Sequence, residues 1–291
     1  MAGATVTGPD SGPAVPASFD QVTKLARYQL REFLRSRRFV ALAAIVLVIG
    51  GILTAVVGHY RGGFVSDPLT FYGTFWGSGV TFVIVLAAVF FGGDAIAGEF
   101  QNKTGYFLMG LPVRRGTVYA SKFIAAFLAS SAMIVLFLGV LLGNGAFYFG
   151  VNAFPWQLGL SLLLSVVYLG AVLGTTFLFS SLFKTSAYGF VLTALLFVFG
   201  FSLVEALVAD LVKIEPWMII SYASSSIGDV FTPSVLWTHG QATTTTTLVG
   251  RRMVTATSYT AGVAEGIVIM LLYLVETVAA GLWLFGREEF T

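Results

Sequence analysis

Residues 123–183 have the sequence FIAAFLASSAMIVLFLGVLLGNGAFYFGVNAFPWQLGLSLLLSVVYLGAVLGTTFLFSSLF, in which no side chain is charged. A helix needs about 20 apolar residues to cross the hydrocarbon core of a bilayer, so this run is too long for one crossing. Its middle, from Asn144 to Pro155, holds the Asn, Gly and Pro residues that favour a turn. The run therefore predicts two membrane-spanning helices joined by a short loop.

Four further runs that are uncharged or nearly so lie on either side of this pair. They are Phe39–Gly58, Pro68–Gly93, Thr185–Val204 and Gly262–Gly286. Each predicts one span by the same length rule. Within Pro68–Gly93 the crossing lies near 76–93, and the last run is interrupted by Glu265 and Glu276. Apolar residues make up 57% of the chain and charged residues 10%, against roughly 25% charged in soluble domains. We therefore predict an all-α integral membrane protein with six transmembrane helices.

The lysines and arginines near the predicted spans set the orientation, because cytoplasmic flanks carry an excess of them. Six spans place both termini on one side. Twelve basic residues lie on that side: Lys24, Arg27, Arg31, Arg35, Arg37, Arg38, Lys103, Arg114, Arg115, Lys122, Lys184 and Arg287. Four lie on the other side: Arg61, Lys213, Arg251 and Arg252. This asymmetry predicts a multi-pass protein of the plasma membrane with cytoplasmic termini. The net charge of +2 argues against a nucleic-acid binder.

The segment before the first span divides into two parts. Residues 1–18 are mostly Gly, Pro, Ala, Ser and Thr, a composition that predicts a flexible tail. Residues 19–38 carry two stripes at helical spacing, one apolar (Phe19, Val22, Ala26, Leu30 and Phe33) and one basic (Lys24, Arg27, Arg31, Arg35 and Arg38). This pattern predicts an amphipathic helix on the cytoplasmic membrane surface, ahead of a transmembrane domain over 39–291. The alternative is a plain basic anchor for the first span.

Two longer connectors interrupt the predicted transmembrane domain. One is the cytoplasmic loop over 94–122, and the other is the outer segment over 211–261. The outer segment is rich in threonine, including the run Thr243–Thr247. Low complexity of this kind predicts a solvated, flexible loop.

The usual catalytic and ligand-binding motifs are absent from the sequence. The chain has no GxxxxGK[ST] phosphate loop, no HExxH zinc motif, no GxSxG elbow and no cysteine. We therefore assign no catalytic, cofactor-binding or metal-binding residue. Glu276 is singular because it lies near the middle of the last span, where a charge is costly. We predict that it faces a protein interior or a water-lined path and not lipid. Two explanations stay open: Glu276 lines the substrate path or a dimer seam, or it is a structural hydrogen-bonding or protonated buried acid.

The cytoplasmic loop carries a resemblance to a known family. Residues 93–115 have the sequence GDAIAGEFQNKTGYFLMGLPVRR, and Lys122 follows. The glutamate, threonine, leucine, proline, arginine and lysine of this stretch resemble in spacing the loop after the second span in permease subunits of ABC-type exporters of the second family (ABC-2 type). They are Glu99, Thr104, Leu108, Pro112, Arg115 and Lys122. Lys103 and Arg114 depart from the pattern, standing where the family usually has Gly and Ser.

The resemblance implies a half-transporter, in which two membrane subunits dock on two ATP-binding subunits that hold ATP and Mg²⁺. It also implies a docking set for the ATPase partner: Glu99, Lys103, Thr104, Leu108, Leu111, Pro112, Arg114 and Arg115. We expect Glu99 to cap the start of a loop helix and the two arginines to contact acidic partner groups. The alternative is an ordinary basic loop that only sets the topology.

Three functions compete at this point. The first is the permease subunit of an ATP-driven exporter, with a second permease copy or a paralogue beside it. The second is an energy-independent channel, or a scaffold subunit of a larger membrane complex. The third, an intramembrane enzyme, is disfavoured because no catalytic constellation occurs in the sequence.

Overall fold

The computed structural model describes residues 18–60, 67–102, 113–183, 185–232, 241–249 and 252–287. Six helices in these ranges are long and apolar enough to cross a membrane. They are Arg37–His59, Pro68–Gln101, Arg115–Phe149, Gln157–Leu182, Ser186–Val212 and Val263–Arg287. The predictions of an all-α membrane fold and of six spans are confirmed.

The helices are α1 Ser18–Arg35, α2 Arg37–His59, α3 Pro68–Gly92, α4 Ala97–Gln101, α5 Arg115–Phe149, α6 Gln157–Leu182, α7 Ser186–Leu195, α8 Phe201–Leu207, α9 Ile220–Asp229 and α10 Val263–Arg287. Two π-helical segments, Leu196–Gly200 and Val208–Val212, continue α7 and α8 within the fifth span. Strands β1 Gln241–Val249 and β2 Arg252–Thr260 form a hairpin. The spans alternate in direction, so α1 and α4 share one end of the bundle, the basic end, while α9 and the hairpin share the other, the hairpin end.

The break within the long uncharged run lies slightly later than the turn residues suggested. Helix α5 continues through Asn144, whose side-chain amide donates to the Val140 carbonyl at 2.8 Å and to the Thr54 hydroxyl at 2.9 Å. Gly150 ends the helix with a φ of 83°, a left-handed conformation that glycine adopts without strain. Because the Asn144 amide finds these partners, the residue is accommodated inside the helix instead of ending it.

The predicted single helix over 19–38 is two helices, which corrects the placement of Arg38. Ser36 has an extended backbone and its hydroxyl accepts from the Phe39 amide at 3.1 Å, so it caps the start of a new helix, α2. Arg38 therefore lies in the first turn of the first span and not on α1. On α1 the later part of the apolar stripe faces the protein: Ala26 is buried, and Phe33 packs on Phe91 of α3 with ring centroids 5.4 Å apart. Phe19, at the start of the stripe, is exposed. Lys24, Arg27, Arg31 and Arg35 are exposed.

The centre of the bundle is a layer of α3, α5 and α6, with α10 packed on α6. Trp76 of α3 is fully buried and stacks on Phe137 of α5, with ring centroids 5.8 Å apart. The Trp76 indole N–H donates to the Ser161 hydroxyl of α6 at 3.0 Å, and the same hydroxyl donates to the Ile227 carbonyl of α9. One buried polar chain thus links α3, α6 and α9, which holds the short α9 against the spans.

The threonine tract forms a strand, which corrects the prediction of a flexible loop. Residues 243–247 lie in β1 and pair antiparallel with 254–258 of β2. Threonine is β-branched and favours extended pairing, a preference that the low-complexity argument ignored. The Thr257 amide of β2 donates to the Asp210 carboxylate at 2.8 Å, which ties the hairpin to the end of the fifth span.

Candidate functional site

The short helix α4, at the end of the second membrane-spanning segment, is the centre of the candidate site. It contains Glu99 and lies at the basic end, where the resemblance placed the loop that contacts the ATPase. Lys122 of α5 donates to the Glu99 carboxylate and, at 2.8 Å, to the Ala95 carbonyl. The side chains of this ion pair are only 10% and 16% exposed. Two residues that the sequence singled out are therefore brought together, and their contact joins α4 to the third span.

The start of α4 is capped by a residue that the sequence analysis missed. The Ser180 hydroxyl of α6 accepts from the Ile96 and Ala97 amides, each at 3.0 Å. At α4 this cap is therefore supplied by Ser180, while the Glu99 carboxylate pairs with Lys122. No local sequence signal could reveal this, since Ser180 lies more than 80 residues away along the chain.

The end of α4 is held by the fifth span. Gln101 accepts with its side-chain oxygen from the Ser186 amide at 3.1 Å and from the Ser186 hydroxyl. Helix α4 is therefore joined by polar contacts to α5, α6 and α7, each of which belongs to a different span. A displacement of α4 would act on three spans at once.

A second ion pair lies beside α4. Arg38 of α2 pairs with Asp94, which lies in the turn between α3 and α4. Its side chains are 61% and 26% exposed, so solvent screens it more than the Glu99–Lys122 pair. A cleft of about 660 Å³ separates α1 from α4 here, and Glu32, Arg38, Asp94, Glu99 and Lys122 are among the residues that line it.

The two arginines of the predicted docking set lie at the start of α5. Arg114 is exposed and has the extended backbone of a residue that precedes a helix. The Arg115 guanidinium donates to the Gly286 carbonyl at 3.1 Å, near the end of α10. Arg115 therefore also fixes the last span, a role that the sequence analysis did not foresee. The other members of the set, Lys103, Thr104, Leu108, Leu111 and Pro112, lie outside the described residues.

Glu276 lies on the exposed face of α10. It borders a groove of about 630 Å³ that is otherwise mostly apolar and that also includes Trp217, Glu265 and Tyr273. Neighbouring side chains on this face are exposed as well, among them Val275 at 64% and Leu272 at 52%. The isolated chain therefore leaves a carboxylate near mid-span on its outer surface.

Comparison with known proteins identifies the family. The model of the family described as "ABC-2 family transporter protein" matches residues 31–200, which is more than half of the chain and includes α4. The chain is also 32% identical over 128 residues to the "Probable ABC transporter permease protein NosY" of Stutzerimonas stutzeri. That alignment covers 43% of this chain and 44% of the relative's length. The chain belongs to the ABC-2 transporter family and is a membrane-spanning permease.

Proposed function

We propose that the chain is the permease subunit of an ATP-driven exporter. A separate subunit hydrolyses ATP and holds the nucleotide with its Mg²⁺, and this chain binds neither. The family membership supports the transport role, as does the similarity to a relative described as a probable ABC transporter permease. Export and ATP coupling are the parts of the proposal that go beyond the family.

The single observation that carries the coupling proposal is the attachment of α4. Lys122, Ser180 and Ser186 hold it from three spans, through contacts that are short and directional. A displacement of α4, or of the segment that follows it, would act on those spans directly through these hydrogen bonds. Rigid-body movement of packed elements is a common way in which one site changes another.

We propose that the docking surface for the ATP-binding subunit surrounds α4. It consists of the exposed Arg114, the segment that contains Lys103, Thr104, Leu108, Leu111 and Pro112, and the neighbouring Glu99 and Arg115. An exposed arginine makes charge-assisted bonds with carboxylates, which suits an acidic patch on the partner. Two ATP-binding subunits and a second permease copy or paralogue would complete the assembly, in the plasma membrane with the basic end in the cytoplasm.

We also propose that Glu276 lies at the seam between two permease copies or beside the substrate path. Its exposure on α10 supports this, since a carboxylate near mid-span is costly against lipid, by about 2.5–3.5 kcal/mol on insertion scales. A second chain or a water-filled path would remove that cost.

Co-purification tests the proposed function. The tagged chain, extracted from its own membrane in a mild detergent, is expected to bring an ATP-binding subunit with it, and ATP hydrolysis is expected only in the complex. The double variant Arg114→Ala/Arg115→Ala should recover less of that subunit, with a weaker dependence on salt. A chain that purifies without a nucleotide-binding protein and conducts ions in lipid bilayers without ATP would instead be a channel.

A further inference from the structure

A polar cavity lies at the hairpin end, and it shares no lining residue with α4 or with the groove at Glu276. It has a volume of about 600 Å³ and opens between α3 and α9. Two aspartates, four threonines and three serines line it, together with three glycines, Leu69 and Phe231. In a chain with 57% apolar residues, this concentration of carboxylates and hydroxyls is exceptional.

The floor of the cavity depends on two glycines that let α3 and α9 touch. A Cβ on Gly77 would lie 2.7 Å from the Gly228 Cα, so a side chain cannot be placed there without moving a helix. The Thr81 hydroxyl, one turn deeper, donates to the Gly77 carbonyl at 3.4 Å. Because the backbones of α3 and α9 approach each other directly at Gly77 and Gly228, the cavity is part of the packed structure and not a gap between loops.

The charge of the cavity is negative. Asp67 caps α3 by accepting from the Thr70 amide at 3.2 Å, and Asp229 ends α9. The Asp229 Oδ2 atom is buried and accepts no hydrogen bond from the described residues. Burial raises the pKa of this carboxyl above its usual value, and the Ser225 hydroxyl beside it offsets part of the rise. No lysine, arginine or histidine is among the described residues that line the cavity.

These features select the chemistry of the ligand. A largely desolvated carboxylate without a charged partner is costly. Asp229 also lines the cavity, where a bound cation with N–H donors would offset that cost. The described residues include no group of three or more His, Cys, Asp or Glu side chains suited to a metal ion. The volume is also that of a site for a small organic molecule. The surrounding hydroxyls would bond to further polar groups of such a molecule.

We propose that this cavity binds a small hydroxylated organic amine of the amino-sugar type. Its ammonium group meets the Asp229 carboxylate, and its hydroxyls bond to the serine and threonine side chains, Ser221 and Thr74 among them. The proposal does not depend on ATP-driven export, because binding requires only the membrane chain.

Calorimetric titration of the purified full-length chain with glucosamine tests this inference. N-acetylglucosamine is the matched ligand, since it keeps the ring hydroxyls and has no charge. Glucosamine should bind, and the acetylated sugar should bind at least about tenfold more weakly, because a hydrogen bond to a charged group is lost. Asp229→Asn should weaken glucosamine binding by a similar factor. Asp67→Asn keeps the helix cap, removes the other charge and should have a smaller effect in the same direction.

Asp210→Asn is the control variant, because Asp210 lies at the same end but outside the cavity, and asparagine keeps its acceptor oxygen for Thr257. It should bind glucosamine as the unmodified chain does. The proposal is overturned if glucosamine does not bind at millimolar concentrations, if both sugars bind equally, or if folded Asp229→Asn, judged by its melting temperature, binds normally. If Asp229→Asn does not fold, Asp67→Asn decides, and unchanged binding by it would contradict the proposal. None of these results bears on whether an ATP-binding subunit co-purifies.

Discussion

The Ser180 hydroxyl accepts hydrogen bonds from the Ile96 and Ala97 backbone amides at the start of α4. Ser180 lies on α6, 84 and 83 residues further along the chain than these partners. This contact could not be predicted from the sequence, because its partners meet only after the third and fourth spans have packed. Glu99 and Lys122 could be named from the resemblance of the loop to a family. Their pairing with each other, and that of Arg38 with Asp94, came only from the structure. The residue types of the site were therefore predictable, and their partners were not.

Removal of one partner of the Glu99–Lys122 pair should strongly destabilise the basic end. Glu99→Gln or Lys122→Met alone should each lower the free energy of unfolding by about 3 kcal/mol, because each leaves a poorly solvated charge behind. The double variant should lose clearly less than the sum. Denaturant unfolding of the four proteins in detergent measures this coupling.

The more exposed Arg38–Asp94 pair provides the control for that cycle. Its coupling energy should be about 0.2–1 kcal/mol, as for other solvated pairs. Additive losses for Glu99 and Lys122, or a coupling no larger than that of the control pair, would show that α4 is not held through this contact.

Replacement of Glu276 tests its proposed place at a seam or path. Glu276→Leu should reduce the assembly of permease copies or the ATPase activity of the complex. Val275→Leu is the control, since Val275 lies next to Glu276 on α10 and is 64% exposed. Size-exclusion chromatography and ATPase assays report both effects. Unmodified assembly and activity in Glu276→Leu would mean that the carboxylate has neither role.

Hydropathy was sufficient to predict the membrane-spanning helices, whereas local capping determines where each helix begins and ends. The six crossings were predictable because the requirement of about 20 apolar residues is a strong constraint. The division of 19–38 at Ser36 was missed, since an apolar and basic periodicity continues through the cap. The hairpin was missed because the threonine tract was judged by its low complexity and not by the preference of threonine for strands.

Helix α1 is predicted to contact the cytoplasmic membrane surface through its exposed basic residues. Each such residue near an anionic surface contributes about 1 kcal/mol. Hydrogen exchange in α1 should therefore be slower in anionic than in neutral nanodiscs. Replacing Lys24, Arg27, Arg31 and Arg35 by Gln should abolish that difference while α5 stays equally protected. Identical exchange of unmodified α1 in both lipids would indicate a basic anchor without surface binding.

The two ends of the helical bundle differ in their functional groups. The basic end holds α4 with its ion pairs, and the hairpin end holds the polar cavity beside α9. The spans between them are the only connection among the described residues. If ATP hydrolysis at the basic end rearranges the hairpin end, two conditions must hold. The basic end must lie in the cytoplasm, and α4 must be mechanically linked to the spans.

The orientation can be tested with single cysteines, because the natural chain has none. A cysteine at position 103 should be shielded from an impermeant thiol reagent in intact cells and react after lysis. A cysteine at position 245, in β1, should react in intact cells. This follows from the twelve basic residues predicted on one side against four on the other. The opposite labelling pattern would reverse the topology and remove α4 from the cytoplasm.

The mechanical link through α4 is tested most directly by distances between spin labels in the complete complex. Labels at Val151 and Ile214, both exposed at the hairpin end, report the arrangement of the spans before and after ATP and Mg²⁺ are added. Ser180→Ala removes the cap of α4. Ser181→Ala is the control because, within the described part of the chain, the Ser181 hydroxyl donates to the Phe177 carbonyl of its own helix at 2.9 Å. If α4 transmits the change, ATP should shift the distance in the unmodified protein and in Ser181→Ala, and Ser180→Ala should hydrolyse ATP with a much smaller shift. A full shift in Ser180→Ala would show that the capped α4 is not the link.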